Sequence, residues 1–268
     1  MSSIITSSSN SIIKHVKSLH RKKARWDTNH FFVEGIRAVE ESIISNSQIE
    51  FFLYSDSLLD SKGGEELLAL VNKKYKRVYN ITDNLLKDIT DTKTPQGIIA
   101  VVKFTTVPLK DVIYNNDNFL VVLDKVQDPG NMGTIIRTAN ALGANGIIVT
   151  KGCVDVFSPK TIRSTMGSIF HIPLVYHEDI QDVLTILKKK NIKIISTALD
   201  AGETCYDVDL KLDFALIIGN EAFGISQKAF KMSDSIIKIP MRDNADSLNA
   251  AIASGIVMYE ASRQRKIF

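Results

Sequence analysis

The sequence predicts an α/β protein, a small α/β unit followed by a larger one built on a mostly parallel sheet with helices on both faces. Short apolar runs at residues 119–123, 146–149 and 214–219 alternate with amphipathic stretches of helical length. Those runs are apolar almost throughout, the signature of strands buried on both faces. At 268 residues the chain also exceeds a typical single domain, so two are expected.

The elements follow in order. Residues 31–33, 49–54, 78–80 and 98–102 read as strands, with helices at 37–45, 65–74 and 83–89 between them. Residues 92–97, with Pro95, Gln96 and Gly97, form the turn before the last of these strands. Residues 105–118 are polar and contain Pro108, so the division expected is a domain at 1–105, a linker at 106–117 and a domain at 118–268. Beyond it, strands at 119–123, 146–149, 174–176, 193–197, 214–219 and 236–239 alternate with helices at 135–142, 160–166, 180–189, 227–232 and 247–263.

The most informative run is 128–143. Asp128, Pro129 and Gly130 form a turn after a strand, where α/β proteins keep their chemistry. Asn131 and Gly133 lead into a helix whose Ile135, Ile136, Ala139 and Leu142 face the sheet, and Gly143 ends it. Arg137 then falls in the first helical turn, where the macrodipole is unfavourable to a cation, so it wants an anionic partner: Asp124, Asp128 or a ligand. No G-x-G-x-x-G and no glycine-lysine-serine/threonine loop accompanies it, so neither nucleotide fingerprint is met.

Two further strand ends carry polar loops. Gly219 allows close backbone approach, followed by Asn220, Glu221 and Gly224; Glu221 reads as a general base, a partner for Arg137 or an exposed loop acid. Ile239, Pro240 and Met241 close another strand, and Asp246 or Ser247 reads as the N-cap of a helix with a face of Leu248, Ala251, Ile252, Gly255 and Ile256. That face suits packing on the chain's own sheet or on a second subunit.

Composition bounds the rest. With 44% hydrophobic and 24% charged residues and no long apolar run, the chain reads as globular, without a membrane span or secretory signal, and cytoplasmic. Two cysteines and five scattered histidines give no metal-ligand spacing, so no metal is expected. The formal charge is +3, and the basic surplus concentrates in Lys14, Lys17, Arg21, Lys22, Lys23 and Arg25, with no acid before Asp27. Such a run neutralises nucleic-acid phosphates or forms a solvated helix face.

The three loops together resemble the SpoU/TrmH family of RNA ribose methyltransferases, of the SPOUT class. The first family motif is matched by Asp128, Pro129, Asn131, Gly133, Ile135, Arg137, Thr138 and Ala139. The second is matched by Gly219, Glu221 and Gly224, and the third by Ile239, Pro240, Met241, Ser247, Leu248 and Asn249. Asp243 stands where a glycine is common, which bears on the shape of that loop. Residues 158–174, with Lys160 and Arg163, resemble the family's stretch between the first two motifs, and the N-terminal part resembles a ribosomal-protein-like substrate-binding domain.

The resemblance implies a trefoil-knotted SPOUT domain that transfers a methyl group from S-adenosylmethionine to a ribose 2′-OH, most simply in 23S ribosomal RNA, as a homodimer without a metal. It implies Arg137, Asn131, Glu221, Ser247 and Asn249 as catalytic residues. For the cofactor it implies Thr197, Ala198, Leu199, Ile218, Gly219, Asn220, Ile239, Met241 and Leu248. For RNA, Lys14, Arg21, Lys22, Lys23, Lys160 and Arg163 are the expected contacts. The alternatives are a non-catalytic RNA-binding or ribosome-associated protein that kept the fold, and a nucleotide- or flavin-binding enzyme; the latter lacks a phosphate fingerprint.

Overall fold

The structure, a computed structural model, describes residues 4–177, 179–242 and 247–267, so Asp243 and Asp246 lie outside the described residues. It divides into two compact units: Met1–Thr105 with Asp155–Phe170, and Thr106–Val154 with His171–Phe268.

In the first unit, α1 (Ser11–Ser18), α2 (Lys22–Thr28), β1 (His30–Glu34), α3 (Ile36–Ile44), β2 (Ile49–Tyr54), α4 (Gly64–Lys74), β3 (Val78–Asn80), α5 (Asp83–Ile89) and β4 (Ile98–Lys103) follow in order. The sheet order is β1-β4-β2-β3, with β4 antiparallel to both neighbours and β3 parallel to β2. Helices α1 and α5 are capped by Asn10 and Thr82 and bury Ile13, Val16, Leu85, Leu86 and Ile89 against Phe51, Leu53, Ile99 and Val101. Burial of such side chains from water stabilises a fold by about 1.5–3 kcal/mol each.

Segment Asp155–Phe170 completes this unit. Arg25 is 3% exposed; its Nε donates to Asp155 Oδ2 at 2.9 Å and its Nη1 to the Leu19 carbonyl at 2.6 Å. The Phe157 ring stacks on Phe104 with centroids 3.8 Å apart. Arg25 is therefore a buried structural cation, which corrects its place in the basic surface run.

The second unit carries β5 (Phe119–Leu123), α6 (Pro129–Ala141), β6 (Gly146–Thr150), β7 (Leu174–His177), α8 (Ile180–Lys189), β8 (Lys193–Thr197), β9 (Glu203–Thr204), β10 (Phe214–Ile218), α9 (Gln227–Met232), β11 (Ser235–Lys238) and α10 (Ala250–Arg265); the intervening α7 (Pro159–Thr165) belongs to the first. Its sheet runs β7-β6-β5-β10-β8-β11-β9, every described pairing parallel. Leu120, Val122, Ala215 and Ile217 pack with Val183, Leu184 and Leu187 of α8 and Ala229 of α9. Their alternates Phe119, Val121, Leu123 and Leu216 are equally buried and face the opposite side of the sheet. Leu109 and Val112, within the stretch expected to be a linker, are buried in the first of these clusters.

Candidate active site

Because the strands run parallel, the loops after β5, β8, β10 and β11 leave the same edge of the sheet, where open α/β sheets bind ligands. The loop after β5 is short because α6 begins at Pro129, six residues before the start expected from periodicity. Asp128 is the N-cap, its side chain accepting from Asn131 N at 2.8 Å, and Pro129 takes the first helical turn, where its missing N–H costs nothing. Arg137 consequently sits in the third turn, and the helix-dipole argument for an anionic partner does not apply to it.

Neither carboxylate expected to pair with Arg137 does so. Asp124 is 1% exposed, and its Oδ2 accepts from Ser226 N at 2.6 Å, while Asp128 is the helix cap. Arg137 is exposed and has no hydrogen bond or ion pair among the described residues.

The polar partners of the first and second motifs meet at Glu221. Its Oε1 accepts from Asp128 N at 3.0 Å and from Asn131 Nδ2 at 3.1 Å, and its Oε2 from Gln127 N at 3.1 Å. Burial raises the carboxyl pKa, but these donated hydrogen bonds outweigh it and hold Glu221 below its ordinary value. Asn249 joins from the third motif, its Nδ2 donating to Asn131 Oδ1 at 2.8 Å. The Asn131 amide is thereby fixed at both ends. Within this chain Glu221 ties the second-motif loop to the start of α6 and makes no hydrogen bond or ion pair with Arg137.

Asn249 is also the cap of α10, its Oδ1 accepting from Ala251 N at 2.9 Å and Ile252 N at 3.2 Å. This corrects the expected cap at Asp246 or Ser247: of those two, Ser247 lies on a cavity wall. The expected face of α10 also divides. Ala251, Ser254, Val257, Met258, Ala261 and Ser262 are buried, and Ser262 Oγ donates to the Leu142 carbonyl at the end of α6 at 2.6 Å. Ile252 and Ile256 are 54% and 39% exposed on the opposite face.

Beyond the ends of β8, β10 and β11 opens a cavity of about 560 Å³. All nine residues expected to hold a cofactor line it: Thr197, Ala198, Leu199, Ile218, Gly219, Asn220, Ile239, Met241 and Leu248. Its wall in the second motif is a self-bound loop. Asn220 and Gly224 exchange backbone hydrogen bonds at 2.8 Å, and Asn220 Oδ1 accepts from Ala222 N at 2.9 Å and Phe223 N at 3.1 Å. A Cβ on Gly219 would lie 2.3 Å from Gly224 C and Ile225 N, so the close approach that requires glycine there is by the loop's own return, not by a ligand.

Of the expected RNA contacts, Lys14, Arg21, Lys22, Lys23 and Lys160 are exposed in the first unit. Arg163 is engaged with carboxylates instead, its Nη1 donating to Glu34 Oε1 at 3.0 Å.

The SpoU rRNA methylase family profile matches residues 118–259, the span holding all three loops, and an MRM3-like substrate binding domain matches residues 10–100. The chain belongs to the SpoU rRNA methylase family. It is 34% identical over 255 residues to the 23S rRNA (guanosine(2553)-2′-O)-methyltransferase RlmP of Bacillus subtilis, covering 95% of this chain and 97% of that one. It is 32% identical to the 23S rRNA (uridine(2479)-2′-O)-methyltransferase of Streptomyces viridochromogenes over 92% of this chain and 87% of that one. Among solved structures, the AdoMet-bound rRNA methyltransferase from Sinorhizobium meliloti superposes with a TM-score of 0.86 at 32% identity, covering 97% of each chain.

In this family member, sequence reasoning passed over several cavity residues. Asp200, Phe223, Phe230, Ala250 and Ala253 also line it. Phe223 left one readable signal, a large aromatic residue inside an otherwise small and polar turn. Asp200 and the two alanines left none.

Proposed function

We propose that this SpoU-family chain is an S-adenosylmethionine-dependent methyltransferase acting on a ribose 2′-OH of RNA, with 23S ribosomal RNA as the substrate. The observation that carries this reading is the convergence of the second and third family motifs on one cavity, and of all three motifs on one hydrogen-bond network beside it. A volume of about 560 Å³, lined by the apolar Ile239, Met241 and Leu248 and by the polar Thr197, Asn220 and Ser247, fits a nucleoside with an amino-acid tail. Thr197, Gly219, Ile239 and Leu248 would hold it. When bound, the cofactor supplies an electrophilic methyl carbon on a cationic sulfur.

The chain's own task is to place and activate the hydroxyl. Ribose hydroxyls are weak acids, so the developing alkoxide needs a positive charge with a directed fork of donors. Arg137 is exposed and uncommitted, and we assign it to the phosphate next to the target ribose and to that alkoxide. Asn131, locked between Glu221 and Asn249, orients the ribose. The Glu221 carboxylate, which already accepts three hydrogen bonds, holds the loop, and the hydroxyl proton leaves past the RNA phosphate that Arg137 holds to solvent water.

Arg137 is not among the residues lining the cavity of its own chain. On α10, which packs on α6, Ile252, Ile256 and Tyr259 present an apolar stripe to solvent, with Leu248 preceding the helix. Both observations favour a homodimer in which Arg137 completes the partner's site. We further propose that the exposed lysines and Arg21 of the first unit hold the RNA backbone, and that the protein works in the cytoplasm; no described helix is long and apolar enough to cross a membrane. The test is incubation of purified protein with methyl-labelled S-adenosylmethionine and transcribed 23S rRNA, followed by nuclease digestion and mass spectrometry. Label confined to one 2′-O-methyl nucleotide is expected; label on a base, or none, would refute the assignment.

A further inference from the structure

Phe223 is the most exposed large apolar side chain described, at 89%. One exposed phenyl ring is ordinary on a protein surface, but a ring held at the wall of a ligand cavity is placed to meet what binds there. Its position is fixed, not accidental. The Asn220 side chain and the Asn220–Gly224 backbone pair clamp the turn from within, and Glu221, the residue two before the ring, is bound to the start of α6. The ring therefore stands on a braced loop at the wall of the cavity.

Its surroundings say what covers it. Lys238 lines the same cavity, Arg242 follows the lining residue Met241, and Lys231 follows the lining residue Phe230. None of these three cations has an ion pair among the described residues, whereas the nearby Lys228 is paired with Asp179 at 2.9 Å. The exposed ring of Phe223, on a cavity wall that carries Lys238 beside Asp200 and Glu221, matches a nucleotide, which offers a base to stack and a phosphate to neutralise.

We propose that Phe223 stacks on a base of the RNA at the mouth of the cavity, holding the strand so that the target ribose reaches the site. This rests on the RNA methyltransferase reading. Single-stranded bases are held by aromatic platforms because every base has a π face, and presenting one ribose requires its nucleotide to leave the helical stack.

The probe is transcribed 23S rRNA, assayed with the parent protein and with Phe223→Ala, Phe223→Leu, Phe223→Tyr and Phe223→Trp. The Ala and Leu variants should raise KM for RNA by about 5- to 150-fold, with a far smaller fall in kcat, as expected for one lost base–aromatic stack. Tyr should restore the parent KM. Cofactor affinity by calorimetry and the sedimentation coefficient should stay within about twofold and unchanged, respectively. Emission from the Trp variant should be quenched by RNA beyond the baseline of Trp26, the one native tryptophan.

A Leu variant with parental KM would show that no stacking is involved. A variant that loses cofactor affinity alone, or that sediments as a smaller species, would reassign the ring to the cofactor or to a subunit interface. All three results overturn the proposal while leaving the methyltransferase reading intact. Failure of the parent itself to methylate the transcript overturns both.

Discussion

Replacement of Glu221 by Gln probes the network that ties the second motif to the first. The carboxylate accepts from Asp128 N, Gln127 N and Asn131 Nδ2 at 3.0–3.1 Å. A carboxamide offers one acceptor oxygen and turns an NH₂ toward a donor, so at least one of the three bonds is lost and another is bent. Hydrogen bonds to charged groups are worth about 1.5–3 kcal/mol, and solvent access at this exposed residue brings the estimate to the lower end. The expected loss is about 2–3 kcal/mol, which for a unit of this size lowers Tm by roughly 5–10 °C.

The pH dependence carries a sign. Glu221 is held below its ordinary pKa, so its contribution is fully present above the unfolded-state value and disappears as pH falls through the lowered folded-state value. Calorimetry of parent and Glu221→Gln should therefore show a Tm gap that is constant at neutral pH and narrows in acid. An equal Tm at neutral pH, or a gap that widens on acidification, would refute the role assigned to this carboxylate.

Arg137→Ala should abolish methyl transfer while leaving cofactor affinity by calorimetry and Tm near parental values, and Arg137→Lys should rescue poorly because an ammonium lacks the planar fork; near-normal turnover in the Ala variant at saturating RNA would dismiss the residue. Neutralising Lys14, Arg21, Lys22 and Lys23 together should weaken RNA binding and flatten its log–log salt dependence by up to about 3 units, with cofactor affinity unchanged. Arg25→Ala strands Asp155, 6% exposed, and should cost about 3–5 kcal/mol in chemical denaturation; a loss below about 1 kcal/mol would mean that solvent reaches the pair.

Strands were legible because a strand covered on both faces must be apolar throughout, as 119–123 and 214–218 are. Helix starts were less so. Asp128-Pro129 serves equally as a turn or as an N-cap followed by its first residue, and choosing the turn displaced Arg137 by two helical turns. Likewise Asp246, Ser247 and Asn249 are all capable caps, and only packing selects Asn249.

Partnerships across long separations were invisible. Arg25 reads as one more cation of a basic run because Asp155, which buries it, lies 130 residues away. Glu221 reads as an acid awaiting a base or a cation, whereas backbone amides at Gln127 and Asp128, which have no side-chain signature, claim it. The knot came from resemblance alone, since residue periodicity holds no information about threading. The cofactor-loop residues came the same way, and their convergence on one cavity follows from strand order, which local sequence does not encode.

The central claim, ribose methylation of 23S rRNA by this chain, is met most directly by comparing ribose-methylation maps of total RNA from cells with and without the protein. One 2′-O-methyl nucleotide in 23S rRNA should vanish on deletion, return with the parent gene and stay absent with Arg137→Ala. Identical maps, or a lost methylation that Arg137→Ala restores, would contradict the account.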